Sequence, residues 1–382
     1  MAYLEKCYIK KLRLRIMKGL VFVTLLLLVS ACVKEKKAIT QTEKVWNLDI
    51  ENADTLLRHY IDSITFLPLE DKADAMLYGV DKFVVRNGLF YLADFRAGKI
   101  VAYDAKGHLK FVLASRGGGP KEYLEIKSFA VDSSFIYVVD NYRHKVLVYN
   151  GKNGQYERTL NLPFVAWDME ILPDGNFIFA YIPYKDGTPN IKQDKYKIFI
   201  TDKELNVLNK LFEYKEGQFD FIGRPCYFTS SEQGVVFTSA SSDNLYLFAG
   251  KDSVRQIEVK FRKGIPEQQR QNLELIDENG YNYWANTPIW YKDYIIFMVS
   301  YDGFLFDYVY NTENGQLSKN DSVNAYKGLL TPVGTDGKHL FSYLNDYLTY
   351  QELIEHGFTR ADKEAEQHLE HEGALLVVYT WH

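Results

Sequence analysis

The chain has 382 residues, with 45 Lys and Arg against 50 Asp and Glu, a formal net charge of −5. Residues 1–31 hold six of the basic and one of the acidic side chains, so the remainder carries 39 against 49, a net −10. That balance excludes the basic face that nucleic-acid phosphates require and matches anionic lipid headgroups poorly.

Reading from the start, Met17-Lys18-Gly19 precedes an apolar run from Leu20 to Val29 and then Ser30-Ala31-Cys32. A basic end, a short apolar core and small residues at the boundary make a secretory signal, whereas a bilayer span needs about twenty apolar residues. Residues 1–16 are set aside as an over-called start or a basic lead. Residues 1–31 are thus the expected signal peptide, 32–44 a flexible Lys/Glu-rich tether and 45–382 the folded domain. Of three cysteines, Cys7 lies in the discarded lead and Cys32 at the boundary, which leaves Cys226 without a disulfide partner. Cys226 is expected to be a small buried side chain, since no histidine pairs with it in the sequence.

The 29 Tyr and 24 Phe, with few helix-forming stretches beyond the signal, favour pleated sheet. One pattern recurs from Phe83: short apolar strands joined by Asn87-Gly88 and Lys106-Gly107 turns, running to Leu113. It returns from Phe129 to Leu160, around Pro173-Asp174-Gly175 to Asp202, from Gly234 to Phe248, and from Tyr294 to Asn311. A last, irregular unit starts at Asp336-Gly337, carries a helix-like insertion around Gln351 to Leu369, and closes with Leu375 to Tyr379. Repeats of about 40–60 residues with four strands each predict a six-bladed β-propeller, an all-β ring. The last unit is a strand short, while Ile64–Leu69 is unassigned, so the N-terminal strand is expected to complete the last blade and remove an open edge. A pair of β-sandwiches is the rival architecture.

Two features carry a family resemblance. Asp94 to Lys99 and Asp140 to Lys145 each place an aspartate five residues before a strand-opening lysine, similar to NHL-repeat blades. Ser115-Arg116-Gly117-Gly118-Gly119-Pro120-Lys121-Glu122-Tyr123 and Phe66-Leu67-Pro68-Leu69-Glu70 resemble the crossover and opening strand of six-bladed propeller lipoproteins of Bacteroides-type bacteria. Val29-Ser30-Ala31-Cys32 resembles the bacterial lipobox. The resemblance implies lipidation of Cys32 and an outer-membrane location, the residue after the cysteine being Val33 rather than a retaining aspartate.

The Arg116-to-Tyr123 loop has two readings: glycine N–H groups and Arg116 cradling an anion, or glycines permitting a tight crossover that Glu122 and Tyr123 anchor. Asp94 and Asp140 are expected to stabilise turns rather than bind calcium, which wants clustered carboxylates. No metal-ligand spacing, cofactor motif or catalytic constellation stands out. Trp167, Tyr283, Trp284 and Trp290, lying beside amides and a carboxylate, are candidate rings for stacking a sugar, the competing role being interblade packing. The function expected is a monomeric, lipid-anchored module binding a ligand or partner protein, with carbohydrate as a candidate. The alternative is a glycan lyase or hydrolase in the central channel, and a third reading is a structural partner of a transport complex. Polar side chains converging in the channel would favour the enzyme.

Overall fold

A computed structural model describes residues 41–55, 60–182, 195–214, 223–320 and 329–381. Cys32 and the rest of the expected signal and tether up to residue 40 lie outside the described residues. The domain is a six-bladed β-propeller, and no β-sandwich forms. Each blade is a meander of four antiparallel strands. Blade one uses Lys82–Arg86, Leu89–Asp94, Lys99–Asp104 and Leu109–Leu113. The innermost strands of the other blades are Ser128–Val131, Asp168–Ile171, Phe228–Ser231, Ile289–Tyr291 and Gly334–Thr335. Each inner strand touches the next around the axis, and the sixth returns to the first.

Ring closure follows the expected route. Ile61–Leu69 is the outer strand of blade six and pairs antiparallel with Ala374–Trp381, with Ile64 opposite Tyr379 and Leu69 opposite Ala374. An early strand and the last strand of the chain thus share one sheet and leave blade six no missing strand.

The tether expectation needs correction at its end. Gln41–Leu48 is a strand, added in parallel to the outer strand of blade four, Ser253–Phe261. Trp46 explains why: it is 4% exposed and packs on Trp290 at 5.9 Å and Tyr310 at 5.1 Å. The chain then crosses blade five, where Asp54 N–H donates to Leu317 O at 2.9 Å, before entering blade six.

The core consists of six clusters, each between neighbouring blades. A small sheet cannot bury both faces alone, so each blade's apolar faces are covered by its neighbours. In blade six the helical insertion is two helices, α1 (Tyr347–Glu355) and α2 (Lys363–Glu370), N-capped by Asp346 and Asp362. They are separated at Gly357, whose φ of +89° suits glycine.

Candidate functional site

Because every inner strand runs the same way, the two faces of the ring differ. On one face the strands are joined by tight turns such as Asn87-Gly88, Asp174-Gly175 and Asn153-Gly154. On the other lie the crossovers 70–81, 114–127 and 262–282 and the insertion bearing α1 and α2. Among the described residues, ten large hydrophobic side chains are exposed, and seven sit on this second face. Tyr78 (84%), Tyr142 (75%), Phe304 (69%) and Leu348 (69%) are the most open, joined by Met76, Leu124 and Leu305.

The axis holds a cavity of about 290 Å³, lined by Lys82–Arg86, Glu170, Arg224, Cys226, Thr287 and Val333–Thr335 among others. At the crossover end, charged groups converge where inner strands begin. Lys82 Nζ donates to Asp168 Oδ1 at 2.9 Å and to Met169 O at 2.6 Å, with Glu170 Oε2 at 3.5 Å. Ser128 Oγ donates to Asp168 Oδ1 at 2.5 Å, and the N–H groups of Tyr227 and Phe228 donate to Oδ2 at 2.7 and 2.8 Å. One lysine and one aspartate thereby tie blades one, two, three and four together. Burial works against the charge of Lys82, but Asp168 and Glu170 outweigh it and hold its pKa above the ordinary lysine value.

Asp168 is 0% exposed, and both of its oxygens accept hydrogen bonds from the ring itself. Cys226 Sγ donates to Asp81 O at 3.2 Å, and burial pushes the thiol well above its ordinary value. It is a half-buried, protonated side chain, close to expectation.

The aromatic candidates do not form one platform. Trp284, 1% exposed, sits between Phe261 of blade four and Phe297 of blade five at 4.9 and 4.8 Å, its Nε1 donating to Asp243 O. Trp290, 8% exposed, packs on Trp46 near the turn face. These two rings serve interblade packing; adjacent Asn and Pro signalled irregular chain, not exposure. Tyr283 is half-buried, as is Trp167, over whose ring Lys127 Nζ lies 3.6 Å from the centroid. Burial lowers the Lys127 pKa, opposed by Glu125 beside it.

The glycine loop is not an anion cradle. Gly119 N–H donates to Glu122 Oε2 at 2.7 Å and Gly117 N–H to Tyr123 O at 2.9 Å, while Arg143 Nη1 donates to Gly119 O and Glu122 O. A β-carbon on Gly117 would collide with the Glu122 carboxylate. Tyr123 hydroxyl donates to Gly98 O at 2.9 Å, and Arg116 Nε donates to Leu124 O at 3.2 Å. Asp94 accepts from Ala97 N–H in its own turn and from Tyr78 N–H in the preceding crossover, and Asp140 does the same with Arg143 and Leu124. The aspartates staple turns to crossovers.

The fold and the ring thus define an all-β propeller with a charged cluster on its axis. Residues 44–375 match the family model described as "Domain of unknown function (DUF4934)", and the chain belongs to that family. Its fold is similar to that of a Bacteroides fragilis protein with the description "Putative exported protein" (TM-score 0.73, 17% identity, 89% of this chain and 100% of that one). A DUF4221 family member from Bacteroides vulgatus is also similar (TM-score 0.50, 14% identity, 84% and 96%). Among curated proteins, none matches the chain.

Proposed function

We propose that the protein is a monomeric, lipid-anchored, extracytoplasmic binding module that engages a partner protein or carbohydrate through the crossover face. The observation that carries this is the segregation of exposed Tyr78, Tyr142, Phe304 and Leu348 onto the face bearing the insertions. Large exposed aromatic and apolar side chains grouped on one face are what binding surfaces use, and loops held by a rigid scaffold are where they sit. Export is supported by the signal-like residues 17–32 and by the description of the Bacteroides fragilis protein of similar fold. Cys32 is the proposed acylation site and the outer membrane the proposed location. Cys32→Ser should release the protein from the membrane fraction and abolish fatty-acid labelling; continued acylation overturns the anchor.

The binding face is tested on a soluble form starting at Ala38, screened against glycans and envelope proteins. Tyr78→Ala with Tyr142→Ala should weaken any binding found at least tenfold with the melting temperature unchanged. Lys152→Ala with Asn153→Ala, on the turn face, should leave it intact. Equal loss from both pairs overturns the reading.

A further inference from the structure

A second cavity, of about 630 Å³, lies between blades six and one on the crossover face, away from the axis. It is larger than the axial one and within the range that encloses a small ligand. Tyr103 and Tyr343 form its wall, with Leu69, Leu77 and Ala374. Burial, with the carboxylates of Asp71, Glu70 and Asp74 around it, raises Tyr103 above the ordinary phenol value, and Tyr343 is raised by burial and by Tyr103 beside it. Tyr103, Tyr343, Glu70, Asp71 and Glu372 line this one space.

The pocket is preformed. Its lip, residues 73–78, is pinned by Lys99 Nζ on Asp74 O at 2.9 Å and Met76 O at 3.3 Å. Asn345 Nδ2 holds Leu77 O at 3.2 Å, Tyr343 hydroxyl donates to the same carbonyl at 3.3 Å, and Tyr78 N–H donates to Asp94. Lys99, the cation lining the cavity, is thus spent on the lip. At the rim, Glu70 is engaged by Lys72 at 3.0 Å and by Leu109 N–H, whereas Asp71 and Glu372 have no ion pair among the described residues. Glu372, with a φ of +65°, makes the left-handed turn that ends α2, its N–H donating to Leu369 O at 3.1 Å. Two exposed carboxylates thus stand at the rim of a preformed, tyrosine-walled cavity.

We propose that this cavity binds an organic ammonium cation, its charge between Asp71 and Glu372 and its alkyl groups against the rings of Tyr103 and Tyr343. Tyrosine faces attract such cations through the ring quadrupole, and carboxylates complete the charge match. This names a ligand class for the proposed binding face, and the experiment leaves Tyr142 untouched so that the two can fail separately. Calorimetry on the form starting at Ala38 uses choline, its neutral isostere 3,3-dimethyl-1-butanol, and a trimethyllysine peptide. Choline or the peptide should bind at least tenfold more tightly than the isostere, the preferred one telling a free cation from a side-chain source. Asp71→Asn with Glu372→Gln should abolish that preference while the melting temperature holds. No binding by either cation, equal binding of the isostere, or a preference that survives in the double variant overturns the proposal. Loss of the choline or peptide signal with Tyr343→Leu, which keeps the apolar wall, would confirm the ring's part; an unchanged affinity would overturn it.

Discussion

At the scale of the residue, Asp168 and Lys82 decide what the channel is. Asp168 serves four donors from three blades and Lys82, so Asp168→Ala should cost more than Lys82→Met. Removing one partner of a buried pair costs about 3–5 kcal/mol, and here the aspartate also leaves orphaned N–H groups behind. Urea midpoints measure the order, and the reverse order would mean that the lysine is the keystone. Asp307 gives a pH signature. Burial raises its pKa to about 6, opposed by the Thr331 hydroxyl at 2.7 Å. Between pH 4 and 6 the native state then holds a proton that the unfolded state has released, so this group's contribution to stability falls as pH rises through that window. Asp307→Asn should flatten that decline and leave the protein at least as stable at pH 7. Sequence made Asp94, Asp140 and Cys226 legible because local turn chemistry or a missing partner speaks for itself. The axial cluster was not, since Lys82 and Asp168 stand 86 residues apart. The signal available was a charged side chain opening a strand that is otherwise apolar. Nor could the sequence separate buried Trp284 from half-buried Tyr283, two neighbours in one irregular segment.

At the scale of the element, the strand Gln41–Leu48 changes an expectation. Trimming to Lys44 would leave half of it, so the folded domain starts earlier than residue 45. Starting at Ala38 should leave the urea midpoint unchanged, while trimming through Leu48 should lower it and expose the outer edge of blade four. Trp46→Ala should cost about 3–5 kcal/mol, because a large buried ring leaves a cavity behind. A negligible loss would mean the strand rests only loosely on its blade. Alternation in Val45-Trp46-Asn47-Leu48 was the available sign, hidden by the Lys-rich composition just before it. The blades themselves were readable wherever Asn-Gly or Asp-Gly turns frame alternating apolar runs, as in the first two. The break between α1 and α2 was not, although Gly357 and Asp362 mark it.

At the scale of the whole molecule, the ring was legible from the count of strands: one too few at the end and one too many at the start. Closure by Ile61–Leu69 means that deleting through Leu69 removes an outer strand and two sheet edges' worth of cover at once. Such a protein should aggregate on expression, as seen by size-exclusion chromatography; a monodisperse, folded product would show that blade six stands on three strands. The division into a turn face and a crossover face was implicit in the same strand order, but only the folded ring places Tyr78, Tyr142 and Leu348 on one side.

The parallel strand at the N-terminus has a mechanical meaning. A pull on the chain ahead of Gln41 runs along that strand, so its seven paired positions from Gln41–Arg255 to Leu48–Phe261 are loaded together, in shear. They cannot be unzipped one at a time. Beyond them the load must pass the Asp54 bridge on blade five before it reaches the outer strand of blade six. The strand that closes the ring is therefore shielded from tension by two neighbouring blades.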